Sequence, residues 1–350
     1  MSNAFSINGR VIGPQQAPYI IAEISANHNG SIETALNTIS MAKKMGADAI
    51  KIQTYTADTM TIDAPQADFQ IAVGPWQGYN LHQLYQQAHT PFEWHAELFA
   101  HAKREGITLF STPFDETAVD LLESLDTPAY KIASFELTDL PLIAYVAKTG
   151  KPLIMSTGMA NAMEIAEALD CAKSHGAQHI VLLHCVSSYP AVTERANLRA
   201  IKTLAQQFNV LTGLSDHTLS HTAAIAATTL GATVIEKHFT LDRSIPGPDA
   251  AFSIEPEELN MLVQTTSSTW QAIGTGELGT TKDEEQNLQF RRSIYVVKDI
   301  KKGEKFSKEN IRRIRPGFGL APKHYEQILT LTANKDLIRG SALSWDDVKN

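Results

Sequence analysis

The chain has 350 residues, 43% of them apolar and 19% charged, with a formal net charge of −8. These are globular values that exclude disorder, and the lack of a strong basic cluster excludes nucleic acid as a partner. The length fits one large domain plus a small one, and an acidic chain of this kind must bind any anion through a local pocket.

Tyr19 to Ala22 reads as a first buried strand, ending in Glu23 and the polar run to Gly30. Ser31 is placed to cap a helix that Gly46 stops. Ala49 to Gln53 is a second strand. Residues 54 to 89 are too long for an ordinary connection, and such segments are usually functional. Thr90-Pro91 predicts the start of a helix with Pro in its first turn, ending at Gly106. The rhythm then becomes regular. Strands are expected over 107–110, 129–132, 152–155, 180–183, 210–214 and 233–235. Helices are expected from Asp115, from Asp139 to Gly150, up to Gly176, from Asn197, from Leu219 to about Gly231, and from about Glu255 to Gly274.

Eight strand–helix units in about 255 residues specify a parallel sheet and favour a closed (β/α)8 TIM barrel over an open one. No GxGxxG follows the first strand, which argues against a dinucleotide fold. The expected division is a barrel over 1–274, a charged linker over 275–292 and a small β-rich domain over 293–350, with a core that is marginal alone. Cys171 and Cys185 form no CxxC pair, so a reducing compartment is expected. The N-terminus lacks a secretion-signal pattern, and no apolar run reaches the roughly 18 residues that span a bilayer. No membrane association and a cytoplasmic location are expected.

The chemistry concentrates at the strand ends. Gly213-Leu214-Ser215-Asp216-His217 and Val234-Ile235-Glu236-Lys237-His238 each switch from apolar to charged. Charge at the end of a buried strand is costly unless it faces a site, and in a barrel that end carries the active site. Lys51, Gln53, Thr112, Lys131, Ser134, Ser156 and Ser215 would ring one mouth and suit a phosphate or carboxylate. His217 and His238 could share a divalent metal and leave positions open. Glu23 is a candidate general base. Plainer readings stand beside these: hydrogen-bonded structural histidines, solvated rim lysines, and a Glu23 that simply pairs with a lysine.

Nine runs together resemble the sialic acid synthase family. They are AEISANHNG (22–30), KIQT (51–54), FSTPFD (110–115), YKIAS (130–134), MSTGMA (155–160), LLHCVSSYP (182–190), LSDHT (214–218), EKHFTLDR (236–243) and GPDAAFS (247–253). IRPGFGLAP (314–322) is similar to the family's antifreeze-like, or SAF, domain. Within the family the runs Gly74–Gly78, Leu81–Tyr85 and His89–Trp94 resemble the pseudaminic acid synthases, as does Arg315–Leu320. Ser187 and Ala250 stand where N-acetylneuraminate synthases usually carry Asn and His.

The resemblance implies a transferase that joins phosphoenolpyruvate to the open-chain aldehyde of an N-acetylated amino sugar. The sugar expected is 2,4-diacetamido-2,4,6-trideoxy-L-altrose. A neuraminate or legionaminate synthase is the alternative, and a non-catalytic sugar-binding protein a remote one. It further implies a divalent metal, Mn2+ with Mg2+ or Co2+ as alternatives, on His217 and His238. Lys51, Lys131, Thr112, Ser134, Ser156 and Ser215 would hold phosphoenolpyruvate, with Gln53 nearby and Glu23 handling protons. Ser187, Tyr189 and Asp249 would lie at the sugar. In the implied domain-swapped homodimer, Arg315 would enter the partner's site.

Overall fold

A computed structural model describes residues 4–74 and 76–349. Pro75, inside the Gly74–Gly78 run, and the first three residues of the N-terminal reading lie outside the described residues. A hairpin of β1 (Phe5–Ile7) and β2 (Arg10–Ile12) precedes eight strands. These are β3 (Tyr19–Glu23), β4 (Ala49–Thr54), β5 (Thr108–Pro113), β6 (Tyr130–Ile132), β7 (Leu153–Ser156), β8 (Ile180–Cys185), β9 (Leu211–Asp216) and β10 (Val234–His238). Neighbours run parallel, and β10 pairs with β3 to close the expected barrel.

Helices follow the strands: α1 (Ile32–Met45), α2 (Ala57–Met60), α3 (Leu81–Ala88), α4 (His95–Glu105), α5 (Glu116–Ser124), α6 (Leu140–Ala147), α7 (Ala162–Ser174), α8 (Ala200–Phe208), α9 (Thr222–Thr229) and α10 (Pro256–Ile273). The caps explain several starts. Ser31 accepts from the Thr34 N–H, and Asp115 accepts from Thr117 and Ala118. Three expected starts are displaced, one of them Leu219, three residues before α9 begins at Thr222. Pro91 has extended ψ and precedes a 3-10 turn over Phe92–Trp94, so α4 begins at His95. Asn197 sits at positive φ, a turn conformation, and α8 begins three residues later. The long segment after β4 is not structureless: it holds α2 and α3.

Side-chain alternation along the strands decides what faces the interior. Tyr19, Ile21, Ala49, Phe110, Ala129, Ile154, Val181, Leu183, Leu211 and Val234 fill the barrel's lower interior, with Phe5, Ile7 and Ile12 of the hairpin plugging its base. Further along the strands the inward positions become polar: Glu23, Lys51, Thr112, Lys131, Ser156, Ser215 and Glu236. The alternate positions pack under the helices, as Ile20, Ile50, Leu214 and Ile235 do on one side and Ile132, Met155 and Leu182 on another.

From Thr275 the chain forms a second compact unit. Its first part carries a 3-10 segment over Lys282–Phe290. Strand β11 (Ser293–Val296) pairs antiparallel with β12 (Ile311–Ile314). Helix α11 (Tyr325–Ile328) follows, and β13 (Thr332–Ala333) pairs with β14 (Val348–Lys349). Ile294, Val296, Phe306, Ile311, Ile328 and Leu343 form its core. Among the described residues no helix is long and apolar enough to cross a membrane.

Candidate active site

The inward polar positions form one bonded cluster. Lys51 Nζ pairs with Glu23 Oε2, donates to Thr112 Oγ1 at 3.1 Å, and lies 3.9 Å from Glu236 Oε1. Lys131 Nζ donates to Ser156 Oγ at 2.7 Å and also lies 3.9 Å from Glu236 Oε1. Ser215 donates to the same oxygen at 3.1 Å. Glu236, on β10, thus reaches lysines of both β4 and β6, which only the barrel interior allows.

Two ammonium groups and two carboxylates are buried together, the arrangement that makes buried charge tolerable. Their titrations split. Burial raises Glu23, against the pull of Lys51 and with repulsion from Glu236 adding to the rise, and pushes it up to about 7. Glu236 is opposed by burial too, but Lys131 and Lys51 hold it below the usual carboxylate range. Two neighbouring carboxylates with separated titrations are a recognised basis for acid–base work. Glu23 Oε1 has no hydrogen-bond partner.

His217 directly follows β9 and His238 ends β10, on adjacent strands. Their ring centroids are 5.4 Å apart. Imidazoles that share an ion through nitrogens about 2.1 Å from it have centroids within roughly 6.5 Å of each other. His217 Nδ1–H donates to the Val186 carbonyl at 3.0 Å, which orients the ring and leaves Nε2 free. His238 Nδ1 is buried without a partner. Burial above all, with the nearby charges of Lys51 and Lys131 adding to it, keeps His238 neutral, the form a ligand needs. This donor set fits a divalent cation with two protein ligands. Among the described residues no group of three or more His, Cys, Asp or Glu side chains is disposed to hold one.

Above the cluster opens a cavity of about 370 Å³. Its polar side includes Ser25, Gln53, Tyr189, His238 and Asp249. Tyr189 packs on His217 at 4.4 Å and on Phe252 at 5.1 Å between ring centroids. Asp249 is buried, and its Oδ2 accepts from the Ala26 N–H at 3.1 Å. Ser134 accepts from the Gly158 N–H at 3.1 Å. A Cβ at Gly158 would collide with both Ser187 Oγ and Ser134 Oγ, so only glycine lets these two hydroxyls converge. Arg315 is exposed on the second unit.

Not every strand-end charge faces this centre. Asp216 and Lys237 occupy the outward parity: Lys237 Nζ donates to Asp216 Oδ2 at 2.6 Å and to the Thr218 carbonyl, outside the barrel. Lys237 therefore does not join Lys51 and Lys131 in the ring. Two residues were not picked out as site members. Glu236 stands in the charged run VIEKH, a single step of alternation from Lys237. Glu136, two residues past Ser134, lines the cavity with Oε2 buried and unpaired.

Burial pushes Glu136 up to about 7, against the pull of Lys131. A carboxyl raised in the fold favours folding fully below its unfolded value, and that contribution is lost as pH rises through about 7. Wild type should therefore lose up to about 3 kcal/mol relative to Glu136→Gln between pH 4.5 and 8. Urea unfolding of both proteins across that range checks this, and parallel curves would contradict it.

The profile of the NeuB family matches residues 38–278, and that of the SAF domain matches residues 291–349. A pseudaminic acid synthase of Campylobacter jejuni is 46% identical over 329 residues, 94% of this chain and 96% of that one. A pseudaminic acid synthase of Helicobacter pylori is 44% identical, covering 95% and 98%. The crystal structure of an N-acetylneuraminic acid synthetase from Leptospira borgpetersenii superposes with a TM-score of 0.74 at 32% identity, covering 83% of this chain and 97% of that one.

Proposed function

The chain belongs to the NeuB family, and on that premise we propose that it is a pseudaminic acid synthase. It condenses phosphoenolpyruvate with the open-chain aldehyde of 2,4-diacetamido-2,4,6-trideoxy-L-altrose and water, giving pseudaminic acid and phosphate. The observation that carries the reaction class is the buried cluster in which Lys51 and Lys131 flank Glu236 beside His217 and His238. The likeness to the two named pseudaminic acid synthases supports the sugar, as do Ser187 and Ala250.

C3 of phosphoenolpyruvate attacks the aldehyde carbon, and the aldehyde oxygen takes up a proton. Water adds to the cationic C2, losing a proton. The C2 hydroxyl then passes its proton to the departing phosphate as the C2–O bond to phosphate breaks, which leaves the keto acid and inorganic phosphate. Lys51, Lys131, Thr112, Ser134, Ser156 and Ser215 hold the phosphate and carboxylate and fix C3 beside the aldehyde, an effect of proximity. Glu23, titrating near neutrality, takes in its ionised form the proton of the water that adds to C2. His217 and His238 would hold a divalent cation, manganese in this reading with magnesium or cobalt as alternatives, which when bound would supply Lewis-acid stabilisation of charge on the aldehyde oxygen. Gln53, Ser187, Tyr189 and Asp249 orient the sugar. The Trp76 indole donates to the Pro248 carbonyl at 2.9 Å and draws the long loop toward the β10 side, which limits bulk water. A cytoplasmic site of action accompanies the use of phosphoenolpyruvate.

Sugar-dependent phosphate release with phosphoenolpyruvate and Mn2+ tests the proposal; none with any N-acetylated hexosamine would refute it. We further propose the swapped homodimer, with Arg315 binding sugar in the partner's site. Arg315→Ala should raise the sugar KM. Mixing it with His238→Ala should restore about a quarter of wild-type activity, since half of the mixed dimers' sites are then intact in half of the population. Absence of any recovery after subunit exchange would argue against shared sites.

A further inference from the structure

The cavity is two-sided, and its second side comes largely from the long segment after β4. Met60 at the end of α2, Ile71, and Leu81 and Leu84 of α3 line it, continued by Phe114 and Phe135. None of these side chains can make a hydrogen bond. The wall is a built feature. Ile71 sits in a tight hairpin: its N–H donates to the Tyr79 carbonyl at 2.9 Å, and the Gly78 N–H donates to its carbonyl at 3.0 Å. Trp76 pins the hairpin's tip through Pro248. Asn80 pins its base, donating to the Ala64 carbonyl at 3.0 Å, and its Oδ1 caps α3 by accepting from the His82 N–H. Ile71 and Leu84 are therefore presented to the cavity by fixed backbone.

Tyr85 and Glu136 flank this wall, but over the stretch formed by Met60, Ile71, Leu81 and Leu84 a sugar meets no hydrogen-bonding side chain. An open-chain N-acetylhexosamine carries hydroxyls from C3 to C6. Any of them turned to the wall loses water and gains no partner, which is unfavourable. A 2,4-diacetamido-2,4,6-trideoxy sugar replaces the C4 hydroxyl with an acetamido group, which reaches past its N–H and C=O to end in a methyl, and the C6 hydroxyl with hydrogen. Its apolar ends match the wall while its remaining polar atoms face Gln53, Ser25 and Asp249.

We infer that the wall formed by Met60, Ile71, Leu81 and Leu84 is the specificity determinant for the sugar, selecting acetamido and deoxy groups over hydroxyls. This inference rests on the proposed synthase activity. A single methyl in an apolar pocket is worth roughly 10- to 200-fold, and rejection of an added hydroxyl about 100-fold.

The test compares wild type, Ile71→Thr and Met60→Gln, each with the trideoxy sugar and with N-acetylmannosamine, recording kcat and KM for sugar and for phosphoenolpyruvate. Ile71 and Met60 are only partly buried, so both variants should fold. Wild type should favour the trideoxy sugar by about 100-fold. Each variant should lose about 10-fold in kcat/KM on that sugar, through KM, with a smaller change for N-acetylmannosamine and none in the KM for phosphoenolpyruvate. An unchanged ratio between the sugars in both variants would overturn this inference alone. Failure of wild type to turn over either sugar would overturn the synthase reading, and this inference with it.

Discussion

Replacing His238 with alanine is expected to lower metal-dependent turnover on the order of a thousandfold while leaving the barrel folded. Lewis-acid stabilisation of developing charge is worth several kcal/mol, and each 1.4 kcal/mol is about tenfold in rate. The fold should tolerate the change because His238 Nδ1 has no protein partner, so no structural hydrogen bond is lost. The ring does pack on Phe252 at 5.0 Å, and removing that contact should cost about 1 kcal/mol. Metal affinity, measured by calorimetry on the apo protein, should fall in parallel with turnover. His217→Ala should lower turnover and metal affinity alike, since only its Nε2 remains for a ligand, and should also cost about 1 kcal/mol of stability for the lost bond to Val186. Metal-stimulated turnover retained in either variant would contradict the ligand assignment.

The second large effect is expected at Lys51. Lys51→Met leaves Glu23 and Glu236 buried with one ammonium fewer, and breaking a buried pair in this way costs about 3–5 kcal/mol. Without Lys51 the titration of Glu23 rises further, because a charge that lowered it is gone. Glu23 then carries its proton over a wider range, so the stability deficit should shrink as pH falls. Adding Glu23→Gln removes the uncompensated carboxylate and should recover most of the stability. It should not recover activity, because the cation that holds the anionic substrate is still missing, a loss of about 100-fold or more in kcat/KM for phosphoenolpyruvate. Urea unfolding of the three variants across pH, with kinetics beside it, checks both halves. A double variant no more stable than Lys51→Met would show that the pair does not carry the cluster.

The barrel was legible because strands buried on both faces must be apolar, so that Glu23, Lys51, Lys131 and Glu236 stand out against Ile, Leu and Val. Spacing could not tell which of two adjacent polar residues points inward. Asp216 and Lys237 differ from Ser215 and Glu236 by a single step of alternation, and the strand's origin in the barrel sets the parity. The long segment after β4 concealed α2 and α3, because one is a four-residue helix and the other only eight residues long, although its Leu81, Leu84, Tyr85 and Ala88 stand at helical spacing. Glu136 was hidden for a different reason: it follows a strand end by several residues, where loop geometry alone brings it to the cavity. The displaced start at Pro91 reflects the same limit, since Pro suits a helix start but its ψ is set by the fold around it.

The central claim is that this mouth joins three carbons of phosphoenolpyruvate to a six-carbon diacetamido sugar. A competition answers it most directly: the protein, Mn2+ and phosphoenolpyruvate with equal amounts of 2,4-diacetamido-2,4,6-trideoxy-L-altrose, its legionaminate-type counterpart and N-acetylmannosamine, read by chromatography and mass spectrometry. The account predicts that the nine-carbon keto acid of the altrose sugar dominates and forms with one phosphate per product. Dominant N-acetylneuraminate or legionaminate, or no nine-carbon acid at all, would contradict it.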